Sequence, residues 1–176
     1  MTITLNGTTG ITTPDITSAA GLDAADLTGT VASARLPAGS VIQVVSAVSN
    51  GNAFSFSSGY NNPFGPSASI ALSSASNNVL IIATGTLASY STTIEAHVDI
   101  LFNGTRLSGG GSGDGLVGYR GAGIDVPYTI SYIHNPATTA AVTYAISGNY
   151  VSGSAPIYNG TRASDWSRIT LMEIVA

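Results

Sequence analysis

The sequence predicts an all-β protein: a jelly-roll-like antiparallel β-sandwich preceded by an extended N-terminal arm. Three observations carry this expectation. Apolar residues recur with period two or in short continuous runs, and Asn-Gly and Gly-rich turn signals separate them. No window carries a convincing helical period, the weak stretch Ser18 to Leu27 being the single candidate. Only 8% of the 176 residues are charged, against about 25% in an ordinary domain. Ser, Thr, Asn and Gly, the residues of turns and solvated sheet faces, stand in their place.

Residues 1 to 39 form the expected arm. They contain no aromatic residue, their apolar residues are scattered singly, and they repeat short phrases such as Asn6-Gly7-Thr8-Thr9-Gly10 and Leu27-Thr28-Gly29-Thr30-Val31. Such a segment buries no core by itself and needs a partner or copies of itself to become ordered. Leu36-Pro37-Ala38-Gly39 punctuates the chain, and the sandwich is expected from 40 to 176.

Within that domain, Val41 to Val48 reads as a strand ended by Asn50-Gly51. Ala68, Ile70 and Leu72 alternate with Ser, and Val79 to Ile82 is a continuous apolar run of the kind a buried strand shows. Thr93 to Phe102 alternates most clearly: Ile94, Ala96, Val98, Ile100 and Phe102 face one way, and Thr93, Glu95, His97 and Asp99 the other. Asn103-Gly104 turns the chain back into Thr105-Arg106-Leu107. Val126, Tyr128, Ile130 and Tyr132 share one face, as do Val142, Tyr144 and Ile146. Eight or nine strands spaced by turn signals fit a sandwich or jelly roll.

The final strand, about Ser167 to Val175, is apolar on both faces. Ile169, Leu171 and Val175 lie on one, Met172 and Ile174 on the other. A strand apolar on both faces is covered on both. The second cover is either another subunit or an internal loop, and the subunit is the simpler source.

Composition excludes several function classes. All five basic residues are Arg, and the net charge is −4, which disfavours nucleic acid and anionic membrane as partners. Absence of cysteine excludes disulfides and thiolate metal sites. The N-terminus lacks the basic and apolar regions of a signal peptide, and Val79 to Ala83 falls far short of the about 20 apolar residues that cross a bilayer. The expectation is a soluble protein made in a cytoplasm. The sequon-like triplets at Asn6, Asn103 and Asn159 are each explained as Asn-Gly turns.

Candidate chemistry is sparse. Gly109 to Gly115 lacks the Lys-Ser/Thr of a phosphate loop and the flanking elements of a hydrolase elbow, so it reads as a flexible surface loop. Glu95, His97 and Asp99 stand in parallel about 6.5 to 7 Å apart on one strand face, and parallel side chains do not converge on a metal. They read as a solvated polar face or a row of contacts to another subunit. No carboxylate pair is identifiable, and neither enzyme activity nor a cofactor nor a metal is expected. The C-terminal half is instead enriched in aromatic and Arg residues in or beside polar loops: Tyr119, Arg120, Tyr150, Tyr158, Arg162 and Trp166. Planar rings and guanidinium forks supply adaptable contact at low entropy cost, so these six residues are the expected recognition surface.

Both ends of the chain resemble the small tail-fibre proteins of tailed phages that infect aquatic bacteria, cyanophages included. The resemblance rests on Ile3 to Ile11, on Leu27 to Val31 through Arg35-Leu36-Pro37, on Gly39 to Val45, and on Ser167 to Ile174. It implies a homotrimer, with Met172 and Ile174 at the subunit interface. It also implies attachment of the N-terminal arm to the baseplate or another virion protein, and a C-terminal β domain that faces the host and binds a surface glycan. A capsid decoration protein of the same shape is the alternative.

Overall fold

The computed structural model describes residues 36–50, 54–56, 63–89, 94–110, 114–121, 124–152, 157–159 and 166–176. The chain divides into two compact units, Met1–Ala32 and Ser33–Ala176, and every described residue belongs to the second. The expected arm up to residue 35, including Ser18 to Leu27, lies outside the described residues.

The described residues contain no helix and form eleven strands. These are β1 (Val41–Asn50), β2 (Phe54–Phe56), β3 (Pro63–Ile70), β4 (Asn78–Ser89), β5 (Ile94–Phe102), β6 (Thr105–Arg106), β7 (Val117–Gly121), β8 (Ile124–His134), β9 (Val142–Ser152), β10 (Ile157–Asn159) and β11 (Trp166–Ile174). All pairings are antiparallel. Sheet I has the order β1-β11-β4-β8, with β10 and β2 continuing it beyond the end of β11. Sheet II has the order β3-β9-β5, with β6 and β7 end to end along the far side of β5. The chain crosses between the sheets so that β1 pairs with β11, β3 with β9, β4 with β8, and β5 with β7.

One apolar cluster lies between the sheets. From sheet I come Val79, Ile81, Ala83, Tyr128, Ile130, Ile169 and Leu171; from sheet II come Ala68, Ile70, Ala96, Val98, Ile100, Val142, Tyr144 and Ile146. The alternation read for β3, β5, β8, β9 and β11 holds in each case, because every second side chain of a strand is driven to the dry face. Asn103 and Gly104 form the expected tight turn, both with positive φ (47° and 85°), which Asn and Gly tolerate better than other residues. Asn103 also receives the Thr143 amide on its Oδ1 at 2.9 Å, tying the turn to β9.

The run Val79 to Ile82 corrects one expectation. Val79 and Ile81 are fully buried, but Leu80 and Ile82 point to the outside of sheet I and are half-exposed. The continuous apolar run marks a strand with two apolar faces, of which this chain covers one.

Polar residues seal one end of the sandwich. Glu173 follows the alternation inward and is 2% exposed. Its Oε1 accepts from the Ser73 amide (2.7 Å), the Ser73 hydroxyl (2.8 Å) and Asn77 Nδ2 (2.7 Å) in the β3–β4 connection. These donors replace the water that a buried carboxylate loses. Beside them the ladder runs past the strand ends: Gly39 N donates to Val175 O (2.8 Å) and Val175 N to Ser40 O (3.0 Å).

Tyr144 is fully buried, and its hydroxyl lies 2.9 Å from His134 Nδ1, with Phe102 packed edge-on against the imidazole at 4.6 Å between ring centres. Burial holds the His134 pKa below its ordinary 6.5 and pushes the Tyr144 phenol up to about 12. The unfolded imidazole therefore takes up a proton more readily than the native one, and stability falls as pH drops through 6.5. At the alkaline end the unfolded phenol ionises near 10.0 while the native one holds its proton to about 12, so stability falls again across that window. Melting curves of the protein and of His134→Gln should separate the acid limb: as pH drops through 6.5 the parent is expected to lose more melting temperature than the variant. Parallel curves would assign the acid loss to other groups.

Candidate functional site

The six residues expected to form a recognition surface do not lie together. Tyr119 and Arg120 are neighbours on β7, so alternation sends them to opposite faces. Tyr119 packs against the core, opposite Ala96, with its ring lying along its own strand over Gly121, where a Cβ would stand 2.6 Å from the phenol oxygen. Arg120 is exposed on the outside of sheet II, opposite Glu95. Trp166, 57% exposed, opens β11 on the outside of sheet I, on the far side of the sandwich from Arg120. Tyr150 stands opposite Ala96 in register, and Tyr158 opposite Ala88 and Ser55. Their side chains, and the whole of Arg162, lie outside the described residues.

The outer face of sheet I carries Met172 and Ile174 as expected, both half-exposed, and Trp166 and Arg168 share that face of β11. Strand register extends Met172 into a row: Val44 on β1, Met172 on β11, Leu80 on β4 and Ile133 on β8 stand side by side across the sheet. Val44 is 58% and Ile133 62% exposed, and Val41, next to Ile174, is 50% exposed. Below this row come Ser46, Thr170, Ile82 and Ser131, then Val48, Arg168, Thr84 and Thr129. Trp166 lies about 20 Å along the strand from Met172, counting six residues at about 3.3 Å each. The one wholly apolar row thus lies at one end of the face and the Trp–Arg pair at the other, with Val48 beside Arg168. Sequence reading found the β11 members and missed Val44, Leu80 and Ile133, because only pairing aligns them.

The outer face of sheet II is polar, and here the expectation of a solvated strand face is corrected. Glu95, His97 and Asp99 do share a face, but Asp99 is fully buried, as are Ser147 and Asn149 beside it on β9. Arg106 is the reason. Its Nε donates to Asp99 Oδ2 at 2.9 Å, and the Ser108 hydroxyl donates to the same oxygen. Asp99 Oδ1 accepts the Ile100 amide at 2.7 Å. The remaining guanidinium nitrogens donate to Gly110 O, the Ser108 hydroxyl and Asp114 O. Gly110 and Asp114, described residues on either side of Gly111 to Gly113, thus share one guanidinium; the centre of the expected flexible loop lies outside the described residues. Leu107 N and Leu116 N continue the ladder on β5 through Ile100 O and Val98 O, each at 2.9 Å.

Towards the other end of β5 the floor rises to solvent. His97 Nε2 lies 3.5 Å from Glu95 Oε1, with side-chain exposures of 16% and 30%. The imidazole lies across Gly118, where a Cβ would meet the ring at 3.1 Å, so a larger residue there would displace it. Arg120, Glu95 and Ser152 then form one row across three strands, and Gly118, His97 and Asn149 the next.

Among the described residues no group of His, Asp and Glu could hold a metal ion, and no helix is long and apolar enough to cross a membrane. Comparison of the chain with protein-family models and with curated proteins finds no match.

Proposed function

We propose that the chain is a structural protein of a bacteriophage virion, a trimeric tail fibre whose C-terminal β domain binds the host cell surface. The observation that carries this reading is the row Val44, Met172, Leu80 and Ile133, an apolar band on the outside of a sheet whose other face already covers a complete core. A second copy of the chain is the cover that such a band fits, and cyclic symmetry repeats the same contact in every subunit. Three copies follow from the resemblance of the chain ends to trimeric fibres.

The strand order supports a jelly roll. Taken in chain order, β1, β3, β4 and β5 make one arm of a long hairpin and β7, β8, β9 and β11 the other, each strand paired with its mate and the whole rolled into two sheets. This architecture serves viral shells and sugar-binding domains alike, so function is argued from the outer faces and not from the fold. The aromatic-poor first 39 residues suit attachment to the baseplate or another virion protein.

Gold-labelled antibody against the chain, applied to intact particles, tests the assignment. Label at the tail tip is the expected result. Label spread over the head would establish the decoration reading, and particles free of label would overturn any virion role.

A further inference from the structure

We propose that the outer face of sheet II between Arg120, Glu95 and His97 is a binding site for a neutral saccharide, which it holds through a pair of adjacent hydroxyl groups. The proposal rests on the host-binding reading above and names the site and ligand class within it. It moves recognition from the loops to a sheet face.

The three groups are complementary in hydrogen-bonding capacity. A guanidinium only donates, an ionised carboxylate only accepts, and an imidazole does either according to its tautomer. A sugar hydroxyl both donates and accepts, so a pair of them can satisfy Arg120 and Glu95 at once. Register brings these groups together: Arg120 and Glu95 are directly opposite on β7 and β5, and His97 follows Glu95 on the same face. Directly opposite Cβ atoms lie about 4.5–5.5 Å apart, and next-but-one residues on a strand about 7 Å. That patch has the width of one pyranose ring.

The site is also unspent. Arg120 and Glu95 oppose each other yet form no ion pair, and among the described residues no hydrogen bond or ion pair engages Arg120. Glu95 meets His97 through one oxygen, at 3.5 Å, a long contact that leaves the carboxylate capacity to accept. Gly118 contributes no side chain, and the His97 imidazole lies across it, where a Cβ would meet the ring at 3.1 Å. The floor deepens along β5 to the buried Asp99, which Arg106 and Ser108 engage.

Charge decides between neutral and acidic ligands. The charges of Arg120 and Glu95 are opposite and stand directly across from each other on β7 and β5. An anionic sugar would gain at Arg120 and lose at Glu95, whereas a neutral one meets both without opposition. Binding should then depend little on salt.

The test uses the full chain on an array of immobilised bacterial O-antigen and capsular polysaccharides, with Glu95→Gln, Arg120→Ala and Trp166→Ala beside the parent. Glu95→Gln and Arg120→Ala are each expected to weaken binding about tenfold to a hundredfold, as loss of a hydrogen bond to a charged group does. Trp166→Ala should bind as the parent does, and about 0.5 M NaCl should change parent binding less than threefold. Both sheet II variants are solvent-facing and should keep the parent melting temperature. Parent binding that neither variant weakens would overturn this site and leave host recognition standing on another surface. Binding confined to acidic polysaccharides and abolished by salt would overturn the neutral ligand class. A parent chain that binds no polysaccharide would overturn both the site and the host-binding reading.

Discussion

Asp99→Ala is expected to lower the melting temperature by roughly 10 °C. The carboxylate is fully buried and its partner Arg106 nearly so, with 13% of the side chain exposed. Removing one member of a buried pair strands the other charge, at a cost of about 3–5 kcal/mol. For a chain of this size each kcal/mol corresponds to about 2–4 °C. The loss also removes the acceptor that orients Arg106 towards Ser108, Gly110 and Asp114, so these residues lose their shared tie. The double variant Asp99→Ala/Arg106→Leu should recover part of the loss, because it leaves no unpaired charge behind. Calorimetry on the three proteins decides. A single variant that melts within about 2 °C of the parent would mean that water reaches Arg106 and screens the pair.

Part of this pair was legible in the sequence. A two-residue Asn-Gly hairpin at Asn103-Gly104 fixes Phe102 opposite Thr105 and Leu101 opposite Arg106. Arg106 therefore shares a face with Leu101 and, two residues back, with Asp99. What the sequence does not contain is the gathering of Ser108, Gly110 and Asp114 on the Arg106 guanidinium, which turns a polar row into an anchor. Glu173 shows the same limit. Alternation puts it inward with Leu171, but its donors Ser73 and Asn77 lie about a hundred residues earlier in a connection whose position depends on the whole fold. The splitting of Tyr119 from Arg120 follows from alternation alone, once that stretch is recognised as a strand. It was obscured because Gly and Ser dominate its neighbourhood and argue for a loop. The final strand signalled a second apolar face through Met172 and Ile174, whereas the run Val79 to Ile82 read as a buried strand. Only the pairing of β4 with β11 shows that the two faces are one.

That shared face underlies the second large effect, which is on assembly. Met172→Asp and Ile174→Asp are each expected to convert the proposed trimer to monomers, or to aggregates where the bared band finds other partners. Met172 lies in the middle of the row from Val44 to Ile133, so a carboxylate there enters the contact in every subunit. Covering a side chain of this size contributes about 1.5–3 kcal/mol per subunit, whereas a buried, unpaired carboxylate costs at least as much. Within one subunit, both side chains are already half-exposed, so the isolated domain should fold with little change in its own stability. That separation is what makes the test informative: assembly should fail while the monomer's β-sheet circular dichroism persists. Light scattering of the parent should give three times 17.6 kDa at micromolar concentration. The variants should give the single mass. Thr170→Asp, one row away between Ser46 and Ile82, should perturb assembly less, which ties the effect to the row of Met172. A parent that is monomeric, or an Asp at 172 that leaves the trimer intact, would remove the band from the interface and with it the observation on which the fibre reading rests.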